Sequence, residues 1–534
     1  MKLRNVVFPQ PDGAGGPLQP QLWDIGLVDG VVESAEPSEM HADGEENGTV
    51  SHLLLPPLCH PHLHLDKALL LTSSGCCGDG SDAEDDKVNY SDLLPQSGSF
   101  AEALQTTAVA KTRFTAPDLR RRGLQLLATS CAQGVTSARV FVEVDAEAAG
   151  QGTVAVTVAR ELQLLFEKSS RMALQVCAFA QEVLFTGTAG PANRAAMEAV
   201  LAANRTEGKE EGSRSTISVL GVTPYVEQSR EKALQNIDWA VTTALEYGLH
   251  LDLHLDYNLK AYSGSSSSST DADSKPLIFA LLDTLIRHRW TERAVSGDPA
   301  GVKKKARPKT VVVGHATQLT CLPRPQLTRL ATVIREHQLP VSFVGLPTSD
   351  LYMMGRQQQS GIAASLGETT LSAPRGTLPV PALIRDFGLN ACLGVNNVGN
   401  AFTPHGTGDP LHLACWGVGL YHAGTGPDAQ LLYGSVSWRA RAAIGMDDDD
   451  EEAVDWEKPL GNPKEHLVGK RIGRLLAVAN KRNIQLPQAL QLPSAKADLG
   501  MEIDAILSRI PARPRLAFRD VVWDPPDISL RKVV

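Results

Sequence analysis

Short apolar, β-branched runs alternate along this chain with longer stretches whose apolar residues recur every three to four positions. The runs fall at 53–59, 135–144, 173–180, 217–224, 249–254, 310–315, 340–346 and 391–395. Helical patterns follow most of them, at 116–132, 154–167, 191–203, 230–247, 276–289, 325–336, 379–387 and 411–422. Strands that alternate with helices predict βαβ units and a parallel sheet. Eight repeats favour a closed (β/α)8 TIM barrel over an open doubly wound sheet, which usually stops at about five to seven strands. No GxGxxG turn opens a helix after the first run, so a dinucleotide fold has little support.

The ends of the chain read differently. Residues 22–33 alternate with period two around Asp29-Gly30, the signature of a β-hairpin. Residues 515–523 alternate as well and read as a strand, so both termini would build one small β lobe flanking the barrel. Three low-complexity stretches, 75–86, 263–274 and 447–452, are too polar to bury and read as surface insertions. The expected division is 1–52 and 495–534 for the two parts of the lobe, 53–445 for the barrel, and 446–494 for an acidic loop with a helical extension.

Composition narrows the function classes. Of 534 residues, 43% are hydrophobic and 21% charged, which suits a globular protein. A formal net charge of -9 argues against a nucleic-acid partner, and Lys303-Lys304-Lys305 reads as a solvated turn. The eight cysteines show neither zinc-ribbon nor redox spacing. Cys76 and Cys77 are adjacent in a polar loop, while Cys131, Cys177, Cys392 and Cys415 read as small core fillers. No apolar leader and no membrane-length apolar run is present, so the expectation is a cytoplasmic protein without a membrane partner. A homo-oligomer is compatible with all of this.

The position of the histidines carries the chemistry. His60, His62 and His64 end the first run in Cys-His-Pro-His-Leu-His-Leu-Asp-Lys, His254 closes the fifth, and His315 closes the sixth. The C-terminal ends of barrel strands hold the active sites of this architecture. Residues i and i+2 of a strand share a face, so His62 and His64 can clasp one ion. Histidines from neighbouring strands can complete a first-row metal site with an open position for water. His41, His288, His337, His412, His422 and His466 lie in loops or helices and read as structural.

At these residues the chain resembles the amidohydrolase superfamily, and within it the cytosine deaminase-like branch. His62-Leu-His64-Leu-Asp-Lys67 resembles that branch's HxHLDK element. Leu253-His254-Leu255-Asp256 resembles its third-ligand strand, and Gly314-His315-Ala316 its strand-six histidine. Phe179-Ala-Gln181-Glu182 resembles the segment with a substrate-binding glutamine. Gly355-Arg356, Arg375-Gly376, Val380-Pro381 and Leu393-Gly394-Val-Asn-Asn397, followed by Pro404 and Gly406-Thr407, resemble strands seven and eight with their loops. The resemblance covers roughly residues 50–445, in order. It implies a barrel with a flanking β lobe and one divalent metal ion, zinc or iron. His62, His64 and His254 would be its ligands, and His315 would orient or stabilise the bound hydroxide or the tetrahedral intermediate. Gln181 would bind an amide-like substrate edge.

The residues also depart from that pattern. Tyr257 stands where the branch has a proton-shuttling Glu, and Asn396 where it has an Asp that serves as ligand and base. Phe141 and Tyr225 replace histidines that relatives often carry. A carboxamide cannot take a proton, and an ordinary Tyr, with a pKa of ~10, is a poor base. Three readings are open. Asp256 or Asp409 has taken over proton transfer, with Asp66 beside Lys67 as a weaker candidate; the leaving group needs less help; or the protein no longer catalyses. His405, in the strand-eight loop, and Lys67 join Gln181 as candidate contacts for a small-molecule substrate. The expectation is a hydrolase of a non-peptide C–N bond in a cyclic amidine or amide, acting through a metal-bound hydroxide. The alternatives are an inactive binding or regulatory relative, or a hydrolase of esters or lactones.

Overall fold

Pro56 and Pro57 divide the first apolar run between two sheets. Residues up to Leu55 belong to one strand and residues from Leu58 to another, since proline has no N–H to continue a ladder. The structure is a computed structural model. It describes residues 1–10, 21–39, 49–72, 88–146, 151–207, 216–262, 275–295, 307–356, 373–446, 453–458, 460–484 and 509–534, with backbone only at 49–50, 151–153 and 207. The three low-complexity stretches, Cys76, Cys77, His41 and the Lys303–Lys305 run lie outside the described residues.

The first sheet is the lobe. It comprises β1 (Lys2–Val7), β2 (Trp23–Val28), β3 (Val31–Pro37), β4 (Thr49–Leu55), β13 (Leu476–Lys481) and β14 (Arg531–Val533), in the order β14-β13-β4-β1-β2-β3. All its pairings are antiparallel except β1 with β4. β2 and β3 form the expected hairpin, and Asp29 (φ 49°) with Gly30 (φ 79°) supplies the two left-handed residues its turn requires.

The C-terminal contribution differs from the expectation. Residues 515–523 do not form a strand: Phe518–Val522 is a short helix with Phe518, Val521 and Val522 buried. That i, i+3, i+4 spacing is helical, and the Asp520 carboxylate accepts from the Leu516 and Ala517 amides at 2.8 and 3.0 Å. The C-terminal lobe strands are β13, within the stretch expected to be a loop and helical extension, and β14.

The second sheet has eight parallel strands in sequence order. They are β5 (Leu58–His64), β6 (Val135–Glu143), β7 (Ala173–Ala180), β8 (Ile217–Val222), β9 (His250–Leu255), β10 (Val311–His315), β11 (Val341–Gly345) and β12 (Ala391–Leu393). Just beyond β12, Asn396 closes the barrel onto β5: the His64 amide donates to Asn396 O at 2.8 Å and the Asn396 amide to His62 O at 3.1 Å. Helices connect the strands as expected. Ala116–Gln133 starts on Thr115, whose side chain accepts from the Asp118 amide, and stops at left-handed Gly134. Arg230–Tyr247 is framed in the same way by Ser229 and Gly248. Among the described residues, no helix is long and apolar enough to cross a membrane.

Candidate metal centre

One irregularity in β5 sets up the site. Its pairing with β6 slips between His60 and Leu63, around Pro61. A slip of one residue reverses the faces that follow it. Cys59 therefore packs inside the barrel with Val312, Val344 and Cys392, while His60 turns outward to Ser130 Oγ at 3.2 Å. Beyond the slip, His62 and His64 turn inward, where their rings meet that of His254 from β9 at centroid distances of 4.7 and 6.0 Å.

His62, His64 and His254 are buried, and their ligand atoms lie within 4.8 Å of one another. His62 Nε2 and His254 Nε2 stand 3.0 Å apart. Two nitrogens on one tetrahedral ion, each at ~2.0–2.1 Å, are separated by about 3.4 Å, so the pair needs to part by only a few tenths of an ångström to share one ion. Burial first, and then the surrounding histidines and cations, hold all three rings well below the ordinary histidine range. They are neutral, the form a metal takes. The Asn396 side-chain oxygen is buried and has no hydrogen-bond partner, because its nitrogen donates to Ser349 Oγ at 2.8 Å. Three neutral imidazoles beside an unpartnered oxygen fit a divalent cation.

Phe141 and Phe179 pack against the histidine rings, with centroids 4.0 Å from His62 and 4.6 Å from His254. Behind His62, Asp252 Oδ1 lies 3.9 Å from Nδ1, and neither atom has another partner. The other oxygen of Asp252 pairs with Arg139 at 2.7 Å, inside the barrel. His315 Nδ1 lies 2.7 Å from Asp350 Oδ1.

Above the histidines lies a cavity of about 20 Å³, lined by His64, His254 and His315 together with Lys67, Gln181, Tyr225, Tyr257, Ser349, Asn396 and Asn397. Phe100, Met353 and Phe402 complete it. Lys67 Nζ donates to Glu143 at 2.5 Å and lies 4.9 Å from the Phe402 ring centroid. Glu143 also pairs with Lys111 at 3.0 Å. Tyr257 packs on His315, with ring centroids 4.6 Å apart. Burial, and then the negative charge of Asp350, raise its phenol, so Tyr257 stays protonated and can donate.

Three sequence candidates stand elsewhere. The Asp256 carboxylate accepts from the Leu277 and Ile278 amides at 2.7 and 3.0 Å, capping the helix Leu277–Arg287. Asp409 caps Pro410–Leu420 and pairs with Arg531 at 2.8 Å. His405 is exposed and stacked on Trp416. None of the three lines the cavity. Asp66 is buried but engaged by the Lys67 and Glu143 amides at 2.9 and 2.7 Å. The sequence reading missed Asp252 and Asp350. Asp252 shares a strand face with His254, and Asp350 sits just past the C-terminal end of a barrel strand, so position alone could have flagged both.

No protein-family model and no curated protein matches the chain. Solved structures do. The 5-methylcytosine deaminase of Klebsiella pneumoniae, liganded with 5-fluorocytosine, aligns with a TM-score of 0.59 at 18% identity, over 93% of this chain and 100% of that one. The N-isopropylammelide isopropylaminohydrolase of Burkholderia multivorans gives 0.55 at 18%, over 95% of each chain. A zinc-bound adenosine deaminase of Xanthomonas campestris gives 0.50 at 15%, over 91% and 86%. The chain thus shares the barrel-and-lobe fold of these solved structures.

Proposed function

We propose that this chain is a metal-dependent hydrolase of the amidohydrolase superfamily, in its cytosine deaminase-like branch, that cleaves a non-peptide C–N bond in a cyclic amidine or amide. The observation that carries the reading is the convergence of His62, His64 and His254, all neutral and buried, beneath a cavity walled by donors and aromatic rings. Zinc in the Xanthomonas deaminase supports zinc here. When bound, a divalent ion supplies an activated water at neutral pH by lowering its pKa from ~15.7 toward ~7.

The chain's own residues do the rest. Gln181 and Asn397 offer amide edges for matching a heterocycle's hydrogen-bond pattern. Lys67, held by Glu143, points its ammonium at an acceptor atom of the substrate. Tyr225, Tyr257, Phe100 and Phe402 sandwich a flat ring and exclude water. A cavity of about 20 Å³ holds a single water, so a ring enters only when these aromatic side chains move.

A second reading rests on Tyr257 and Asn396: with no carboxylate at either position, the protein binds a heterocycle without turning it over. Metal analysis followed by a screen of cyclic amidines and amides decides. We expect about one zinc per chain in the purified protein by plasma mass spectrometry, and loss of both metal and turnover in His254→Ala. A well-folded protein that refuses added zinc would sink the hydrolase reading.

A further inference from the structure

His315 is buried at the end of β10, beside the three-histidine cluster, and its ring packs at a centroid distance of 5.1 Å on His254. Its role depends on which nitrogen carries hydrogen. An Nε2–H would make it a donor to the cavity; a bare Nε2 would make it an acceptor. The surroundings decide between them. Nδ1 lies 2.7 Å from Asp350 Oδ1, and a carboxylate offers only acceptors. Asp350 is 0% exposed. Its second oxygen accepts from Thr377 Oγ1 at 2.7 Å, which fixes the plane of the carboxylate. The Asp350 backbone is held too, its amide donating to Leu346 O at 3.0 Å in the helix Pro347–Met353.

We propose that Asp350 is a positioning residue: through the run Thr377–Asp350–His315 it locks His315 as the Nδ1–H tautomer and presents a bare Nε2 to the cavity. Tyr257, 4.6 Å away by ring centroids and protonated, is then the donor of the pair. The arrangement places one acceptor nitrogen and one donor hydroxyl side by side, the hydroxyl at the position where the branch it resembles has a Glu. Two carboxylates lie behind the imidazoles, Asp350 behind His315 and Asp252 behind His62. The proposal rests on the hydrolase reading only for its kinetic consequence, not for the tautomer.

The test is Asp350→Asn in the full-length, zinc-loaded protein. Asparagine is nearly isosteric and can keep its neighbours packed, but its NH2 group would face Nδ1 and favour the opposite tautomer. Spectra of ¹⁵N-histidine-labelled protein, with His315 assigned by its loss in His315→Gln, should show Nδ1–H in the parent and Nε2–H in the variant. Zinc stoichiometry should not change, since Asp350 does not touch the three-histidine cluster. On a cyclic amide identified by the screen, kcat should fall by about 10²–10⁴-fold with little change in KM. An Nε2–H tautomer in the parent, or full kcat in the variant, would overturn the proposal. A tautomer switch in a protein that hydrolyses nothing would keep Asp350 as the positioning residue and defeat the hydrolase reading instead. Should Asp350→Asn fail to fold, Thr377→Val frees one carboxylate oxygen. It should lower kcat by about 5–10-fold, the size of one lost hydrogen bond, and an unchanged rate would count against the run.

Discussion

Asn396 shows how one residue can be placed by its backbone and aimed by its neighbours. It closes the barrel onto β5 with a positive φ of 67°, a conformation asparagine and aspartate tolerate better than most residues. Ser349 receives its amide hydrogen and is itself bonded to Thr403 at 2.7 Å, so the side-chain oxygen is left over and faces no protein donor. Restoring a carboxylate by Asn396→Asp should tighten zinc binding by about tenfold or more, the scale on which a group next to a metal alters affinity. Competition with a chromogenic chelator measures it, and equal affinity in the two proteins would remove Asn396 from the metal's surroundings. The four convergent histidines were legible in the sequence because each ends a strand-like run. Asp256 and Asp409 were legible as carboxylates near the same ends, but not as helix caps. The amides that hold Asp256 belong to Leu277 and Ile278, far along the chain. Nothing local marks such a partner.

At the level of elements, the eight-strand rhythm was readable because a parallel barrel buries each strand on both faces and each helix on one. The readings failed where local and tertiary preferences diverge. Residues 515–523 alternate like a strand, yet their apolar side chains also satisfy a helical turn, and the Asp520 cap selects the helix. The run 53–59 looked continuous, although its two prolines hand the chain from one sheet to the next. Contacts between lobe and barrel were not legible at all. Gly134, at φ 100°, ends the helix before β6, and a Cβ there would lie 2.7 Å from Leu476 of β13. Gly134→Ala therefore meets both backbone strain and a clash with the lobe. We expect it to destabilise the protein by about 1–3 kcal/mol, read as a lowered thermal midpoint. An unchanged midpoint would mean that β13 does not press on the barrel at this point.

Across the whole molecule, the C-terminal strand is tied to the outside of the barrel by one cation. Arg531 pairs with Asp409 at 2.8 Å, donates to Gln133 O at 3.1 Å and to Pro526 O at 2.8 Å, and both partners of the ion pair are buried. Gln133 in turn donates to Thr407 O at 3.1 Å, so helix, strand-eight loop and lobe meet at one point. Arg531→Ala leaves the Asp409 charge buried and unpaired. It should cost about 3–5 kcal/mol in urea denaturation, whereas a loss below about 1 kcal/mol would show that water reaches the pair. The closure of the barrel bears on how the protein is made. β5 leaves the ribosome well before the residues that seal its free edge, around Asn396, which follow more than 300 residues later. At ~5–20 residues per second that interval is on the order of tens of seconds. Through it, the strand bearing His62 and His64 is the open margin of a growing sheet. Pro61, which has no N–H to offer, makes β5 a poorer template for a stray strand, so the residue at the kink that aims the histidines also bears on how exposed that margin is during synthesis.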